Sequence, residues 1–151
     1  MYFTLQLEQF QEEYVYFNDP IKNNIMSNSY FVRILYSLPF ATFNGICLSI
    51  NVYPLLFTKY YNKHTFSFKH NKQLITSIKS IEEKILTKIN IHNKTPRYKI
   101  YEQLLSDNIK IYSNYIDKNN HTIVLKISGI WESSNEYGIT YKFLTPKYTL
   151  F

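Results

Sequence analysis

The residues best suited to chemistry in this chain are cations interleaved with tyrosines. Lys94, Arg97, Tyr98, Lys99 and Tyr101 fall close together, and Lys110 and Tyr112 follow. A second run, Lys59, Tyr60, Tyr61, Lys63, Phe66, Phe68 and Lys69, has the same character. Single-stranded nucleic acid asks for this pairing. Cations neutralise phosphates, and aromatic faces stack bases at about 1–3 kcal/mol each. A structural reading competes. With 15 Tyr and 11 Phe among 151 residues, chance interleaving is common and most rings must fill the core.

Other chemistries find little footing. Three glycines could hardly build a phosphate-binding loop. His64, His70, His92 and His121 lack zinc-like spacing, and a single cysteine adds little. Cys47 reads as a buried thiol. Glu82 and Glu83 read as solvated helix-surface residues or partners of nearby lysines. Asp107 and Asp117 sit where turns want aspartate. No catalytic residue, metal ligand or cofactor is assigned, and a non-enzymatic protein is expected.

The net charge is +6, unevenly spread. Residues 1–58 carry two Lys or Arg against four acids, residues 59–99 ten against two, and residues 100–151 five against five. A basic middle points to a polyanion or an anionic surface. Lys outnumbers Arg fifteen to two, and Ile, Lys, Asn, Tyr and Phe make up half the chain. These residues have AT-rich codons, so genome composition is a second source of the lysine excess. The length suits one α+β domain over residues 1–151. The amino terminus lacks the basic start and apolar core of a signal peptide.

The elements that must position these residues follow from periodicity. Thr122 to Leu144 reads as a β-hairpin. Ile123, Leu125, Ile127 and Trp131 alternate onto one face, with Lys126, Ser128 and Glu132 opposite. Trp131 is expected to anchor the core, with Gly129 admitting a neighbouring ring and Gly138 serving a bulge or strand entry. Ile139, Tyr141 and Phe143 alternate on the return strand against Thr140 and Lys142. Tyr2 to Gln9, Tyr30 to Ser37, Phe43 to Tyr53 and Ile109 to Tyr115 read as further strands. The last of these should precede the hairpin in a three-stranded meander. Leu74, Ile75, Ile78, Ile81, Ile85 and Ile89 recur at helical spacing, predicting an amphipathic helix over 72–90 capped by Asn71. Arg97 to Leu105 is open between helix and strand.

The uncharged run from Ile34 to Thr58 is 25 residues, long enough to span a membrane. Two prolines, polar residues and period-two alternation favour strands there, so a membrane partner is not expected. The expected fold is α+β: about six mostly antiparallel strands with one long helix packed on the sheet, in an arrangement that could be OB-like.

SNSYFVRILYS (27–37), FNGICLSI (43–50), SIEEKILTKINIHNKTPRYKIYEQLLSDNIKIY (80–112) and LKISGIWESSNEYGITYKF (125–143) together resemble small proteins of nucleocytoplasmic large DNA viruses. The GIWE…YGITYKF pattern is the most specific. The resemblance implies a viral source and an infected-cell setting, in the host cytoplasm, at a virus factory or in the virion. It brings no established activity and no functional residues. The reading is therefore a viral DNA-binding protein selective for single strands. Lys94, Arg97, Lys99 and Lys110 would meet phosphates, and Tyr98, Tyr101 and Tyr112 would meet bases. The alternative is a viral structural or protein-interaction module with no nucleic-acid role.

Overall fold

The computed structural model describes residues 3–25, 28–51, 58–60, 63–66, 71–106, 109–112 and 122–145. Strands β1 (Thr4–Gln6), β2 (Val15–Phe17), β3 (Ile21–Lys22), β4 (Tyr30–Leu38), β5 (Ala41–Asn44) and β6 (Ile46–Asn51) come first. Strands β7 (Thr58–Tyr60) and β8 (Lys63–Phe66) precede helix α1 (Lys72–Ile89). Then come β9 (Thr95–Arg97), helix α2 (Lys99–Leu105), β10 (Ile109–Tyr112), β11 (Thr122–Glu132) and β12 (Glu136–Leu144). The α+β class is as expected, but the sheet is larger and mixed. Nine strands form one sheet, in which β1 pairs parallel with β6 and β9 parallel with β12.

Strand β11 is the spine. One edge pairs with β12. The other is shared: residues 122–127 pair with β6 and residues 129–132 with β4. Both edges are therefore taken, which is why the expected meander does not form. The backbone of β10 pairs instead with β8 in a separate three-stranded sheet with β7. Residues 113–115 and 52–53 of the expected strands lie outside the described residues. The early strand is shorter than expected. After Gln6 the chain tightens into a 3-10 turn at Leu7–Gln9, where Gln9 Oε1 accepts the Gln6 N–H at 2.8 Å. The 43–53 run is split at Gly45, whose φ of +88° takes a backbone region that residues with a Cβ rarely enter.

The hairpin forms, with a correction to its phase. A β-bulge falls between Ile127 and Gly129 on β11. The extra residue shifts the side-chain alternation by one. Ile123, Leu125 and Ile127 point to the core as expected, but Ile130 takes the next core position. Trp131 turns to the other face and is only half-buried. Glu132 is carried the opposite way, toward Lys94.

Helix α1 appears as predicted. Asn71 Oδ1 accepts the Leu74 N–H at 3.1 Å, and Asn90 closes the C-terminus in the left-handed region. Leu74, Ile75, Ile78, Ile81, Ile85 and Leu86 are buried in one cluster with the inward residues of β4, β6, β11 and β12. Each such side chain contributes on the order of 1.5–3 kcal/mol by leaving water. Arg97 to Leu105 resolves into both options, a short strand and then helix α2. The expectation for Glu82 is overturned. Its carboxylate is 1% exposed and accepts the backbone N–H groups of Ile100 and Tyr101, each at 3.0 Å. It thus caps α2 from α1. Glu83 behaves as expected, facing Lys79 at 3.8 Å.

Residues 34–51 of the uncharged run lie in β4 to β6 and their turns. No described helix is long and apolar enough to cross a membrane.

Desolvation pushes the Glu82 carboxyl up from its ordinary 4.5 to about 7, against the pull of the two N–H donors. Below pH 4.5 the group is protonated folded and unfolded alike. Between 4.5 and about 7 only the folded protein keeps the proton, so stability falls as pH rises and the loss is complete above about 7. Unfolding in urea from pH 4.5 to 8 should show this loss, on the order of 3 kcal/mol, and Glu82→Gln should flatten it relative to the wild-type curve.

Candidate nucleic-acid interface

The sequence-predicted site residues stand on three elements and in different surroundings, β9 with the turn before it, α2 and β10. Strand β9 lies along β12, with Glu136 beside Thr95 and Gly138 beside Arg97. Lys94 Nζ donates to Glu132 Oε1 at 2.5 Å, both side chains largely covered. Arg97 is held at 3.1 Å by Glu136 and at 3.5 Å by Glu102. The Glu136 hydrogen bond, more than any other contact, raises its already high pKa. These two cations fasten the edge strand to the hairpin. Tyr98 packs partly buried against the core, and burial raises its hydroxyl pKa. Tyr101 also packs against the core, with Lys79 Nζ 4.5 Å from its ring centre. Lys110 and Tyr112 stand on β10, and their side chains lie outside the described part. Of the seven, Lys99 reaches an aromatic face. Its Nζ stands 4.7 Å from the centre of the Trp131 ring.

That contact leads to a surface the residue pattern alone did not expose. One face of the sheet is packed by the helices. Tyr141 on that face donates its hydroxyl proton to Gln103 Oε1, with the Lys99 carbonyl oxygen also within reach at 3.3 Å, both on α2. Burial there pushes the Tyr141 hydroxyl up to about 12. The opposite face carries Phe31, Arg33 and Leu35 from β4, Lys126, Gly129 and Trp131 from β11, and Gly138, Thr140 and Lys142 from β12. None of these belongs to the core cluster.

Register aligns them in rows. Ile21, Phe31, Trp131, Gly138 and Arg97 are successive cross-strand neighbours over β3, β4, β11, β12 and β9. In the next row Arg33 faces Gly129, which faces Thr140. Beyond the bulge Lys126 lies opposite Lys142, and beside it is Cys47. Burial raises the Cys47 thiol pKa, and the two lysines partly offset this. Arg33 Nη1 donates to Asn44 Oδ1 at 2.9 Å.

The two aromatic rings lie low because glycines make room for them. A Cβ on Gly138 would fall closer than 3.0 Å to three indole atoms of Trp131. A Cβ on Gly129 would come as close to the Phe31 ring and to the Val32 carbonyl oxygen. The expectation that Gly129 admits a neighbouring ring is met; Gly138 serves a ring as well, while the bulge lies elsewhere. Sequence could have flagged part of this face, since Lys126 and Lys142 both alternate away from the core. Alternation puts Trp131 in the core only if period two runs unbroken through Gly129, and that glycine is the one hint of a bulge there.

Among the described residues no three His, Cys, Asp or Glu side chains group as metal ligands do. No protein-family model, curated protein or solved structure matches this chain.

The glycines give a test of the close packing. Gly129→Ala must displace backbone, whereas Gly138→Ala can lift a side chain. Both should destabilise, within about 1–3 kcal/mol, with Gly129→Ala the costlier. Chemical denaturation of the two variants checks the order.

Proposed function

We propose that this protein binds single-stranded nucleic acid on the helix-free face of its main sheet, without catalysis. The observation that carries the reading is the adjacency of Phe31 and Trp131 on neighbouring strands, bordered by Arg33, Lys99, Lys126 and Lys142. Flat rings recessed over glycines offer stacking surfaces to unpaired bases, and duplex bases hide theirs. Lys126 and Lys142, directly opposite each other on β11 and β12, add positive charge to the same face.

The site therefore moves from the tyrosine cluster to the sheet, with Lys99 common to both. Lys110 and Tyr112 stay in the proposal as outlying contacts, and Lys94, Arg97, Tyr98 and Tyr101 become its support. An OB-like arrangement belongs to the same reading. Its support is the long strand β4, whose first half pairs with β11 and second half with β2 and β5. So does a viral setting, where replication exposes single strands. The alternative, a viral interaction module, draws support from Ile21 and Ile25, which are 57% and 94% exposed.

Fluorescence anisotropy of labelled oligo-dT, titrated from low to moderate salt with duplex as competitor, tests the reading. Binding should weaken with salt and resist duplex competition. The triple variant Arg33→Gln, Lys126→Gln, Lys142→Gln should reduce the slope of log K against log salt by about 2, at roughly 0.7 per phosphate contact. Equal affinity for duplex would refute strand selectivity. An unchanged slope would refute the face. No binding at low salt would leave the interaction module.

A further inference from the structure

We infer that Lys99 is an exchangeable cover on Trp131, holding the ring face that a base takes and moving to a phosphate when the base arrives. This rests on the reading of the sheet face as a single-strand site. The indole packs on the sheet at Gly138, where a Cβ would fall within 3.0 Å of three ring atoms. The Lys99 ammonium stands over the ring, 4.7 Å from its centre. A base stacking on that face of Trp131 must therefore take the place Lys99 occupies.

The exchange is chemically easy. Lys99 is exposed, and its ammonium keeps most of its water, so its hold on the ring is weak. Its backbone is fixed by contrast. Lys99 opens α2, the N–H groups of the next two residues bind Glu82, and its own carbonyl oxygen lies 3.3 Å from the Tyr141 hydroxyl. A fixed stem with a loosely held tip lets the ammonium swing without the helix moving. A nucleotide brings both parts of the exchange, a base for the ring and a phosphate for the displaced cation. A neutral aromatic ligand brings only the first. The cover thus favours nucleotides over apolar partners, because only they return an anion to the lysine.

Trp131 is the single tryptophan, so its emission reports on this site alone. Acrylamide quenching of the full-length protein, free and saturated with oligo-dT, reads the ring's accessibility. Lys99→Ala should make Trp131 more quenchable in the free protein, and oligo-dT should then protect it as fully as in wild type. The salt slope for oligo-dT should fall by about 0.7 in Lys99→Ala, one phosphate contact, and stay at the wild-type value in Lys99→Arg. If wild type binds oligo-dT but Lys99→Ala leaves Trp131 quenching in the free protein unchanged, the cover is refuted and the wider reading survives. A Lys99→Ala slope equal to wild type refutes the transfer to phosphate. Absence of oligo-dT binding by wild type overturns both readings together.

Discussion

Strand β11 pairs with β12 from Val124 to Glu132 on one edge and with two different strands on the other, and the surplus residue at Ser128 is what allows it. At that point the partner changes from β6 to β4. The bulge adds local twist and lets each half of β11 follow its own partner. Around it the backbones crowd. Gly45 donates its N–H to the Ile34 carbonyl at 2.9 Å, and a Cβ on Gly45 would press on the Ile127 carbonyl oxygen at 2.8 Å. Two of the three glycines in the chain stand at this junction, Gly45 and Gly129. The third, Gly138, bears the tryptophan that the bulge turned outward.

The phase change has a chemical consequence. Without it Trp131 would point toward the helices and Ile130 would face solvent. With it, an isoleucine closes the core at the end of β11 and an indole is delivered beside Phe31. An apolar core and an aromatic outer row are thus obtained from one strand whose sequence, read at a uniform period of two, allows only the first.

This marks where sequence was sufficient. Helix α1 was legible because its isoleucines repeat at helical spacing and Asn71 supplies a cap. Strand β6 was legible because Ile46, Leu48 and Ile50 alternate against Cys47, Ser49 and Asn51. Glu82 was legible in principle, since it lies four residues after Ile78 and three before Ile85, on the apolar side. Its buried role was missed because a carboxylate there needs donors, and those come from a helix 18 residues further on. Distance along the chain hid the ion pairs too. Lys94 and Arg97 look like free cations until Glu132 and Glu136 arrive from 38 and 39 residues away. The place of β10 depended on which edges of β11 were already filled, and strand order has no local signature.

Glu82 ties the inner architecture to the outer face. Burying a carboxylate is costly unless it is well bonded, and here Glu83 and Glu102 add to the rise in its pKa rather than offset it. Two amide donors are its return, and their position matters more than their number. They are the N–H groups of Ile100 and Tyr101, immediately after Lys99. Ile100 and Leu104 anchor the same helix in the core. Tyr141 grips it from the sheet through the Lys99 carbonyl and Gln103. Arg97, just before it, is clamped between Glu136 and Glu102. Lys99 is therefore bracketed by fixed points on both sides, while its own ammonium rests on an indole and not on a carboxylate. A cation placed so firmly at its root and so lightly at its tip is suited to meet an anion on the sheet face, which Arg97, already neutralised twice, is not.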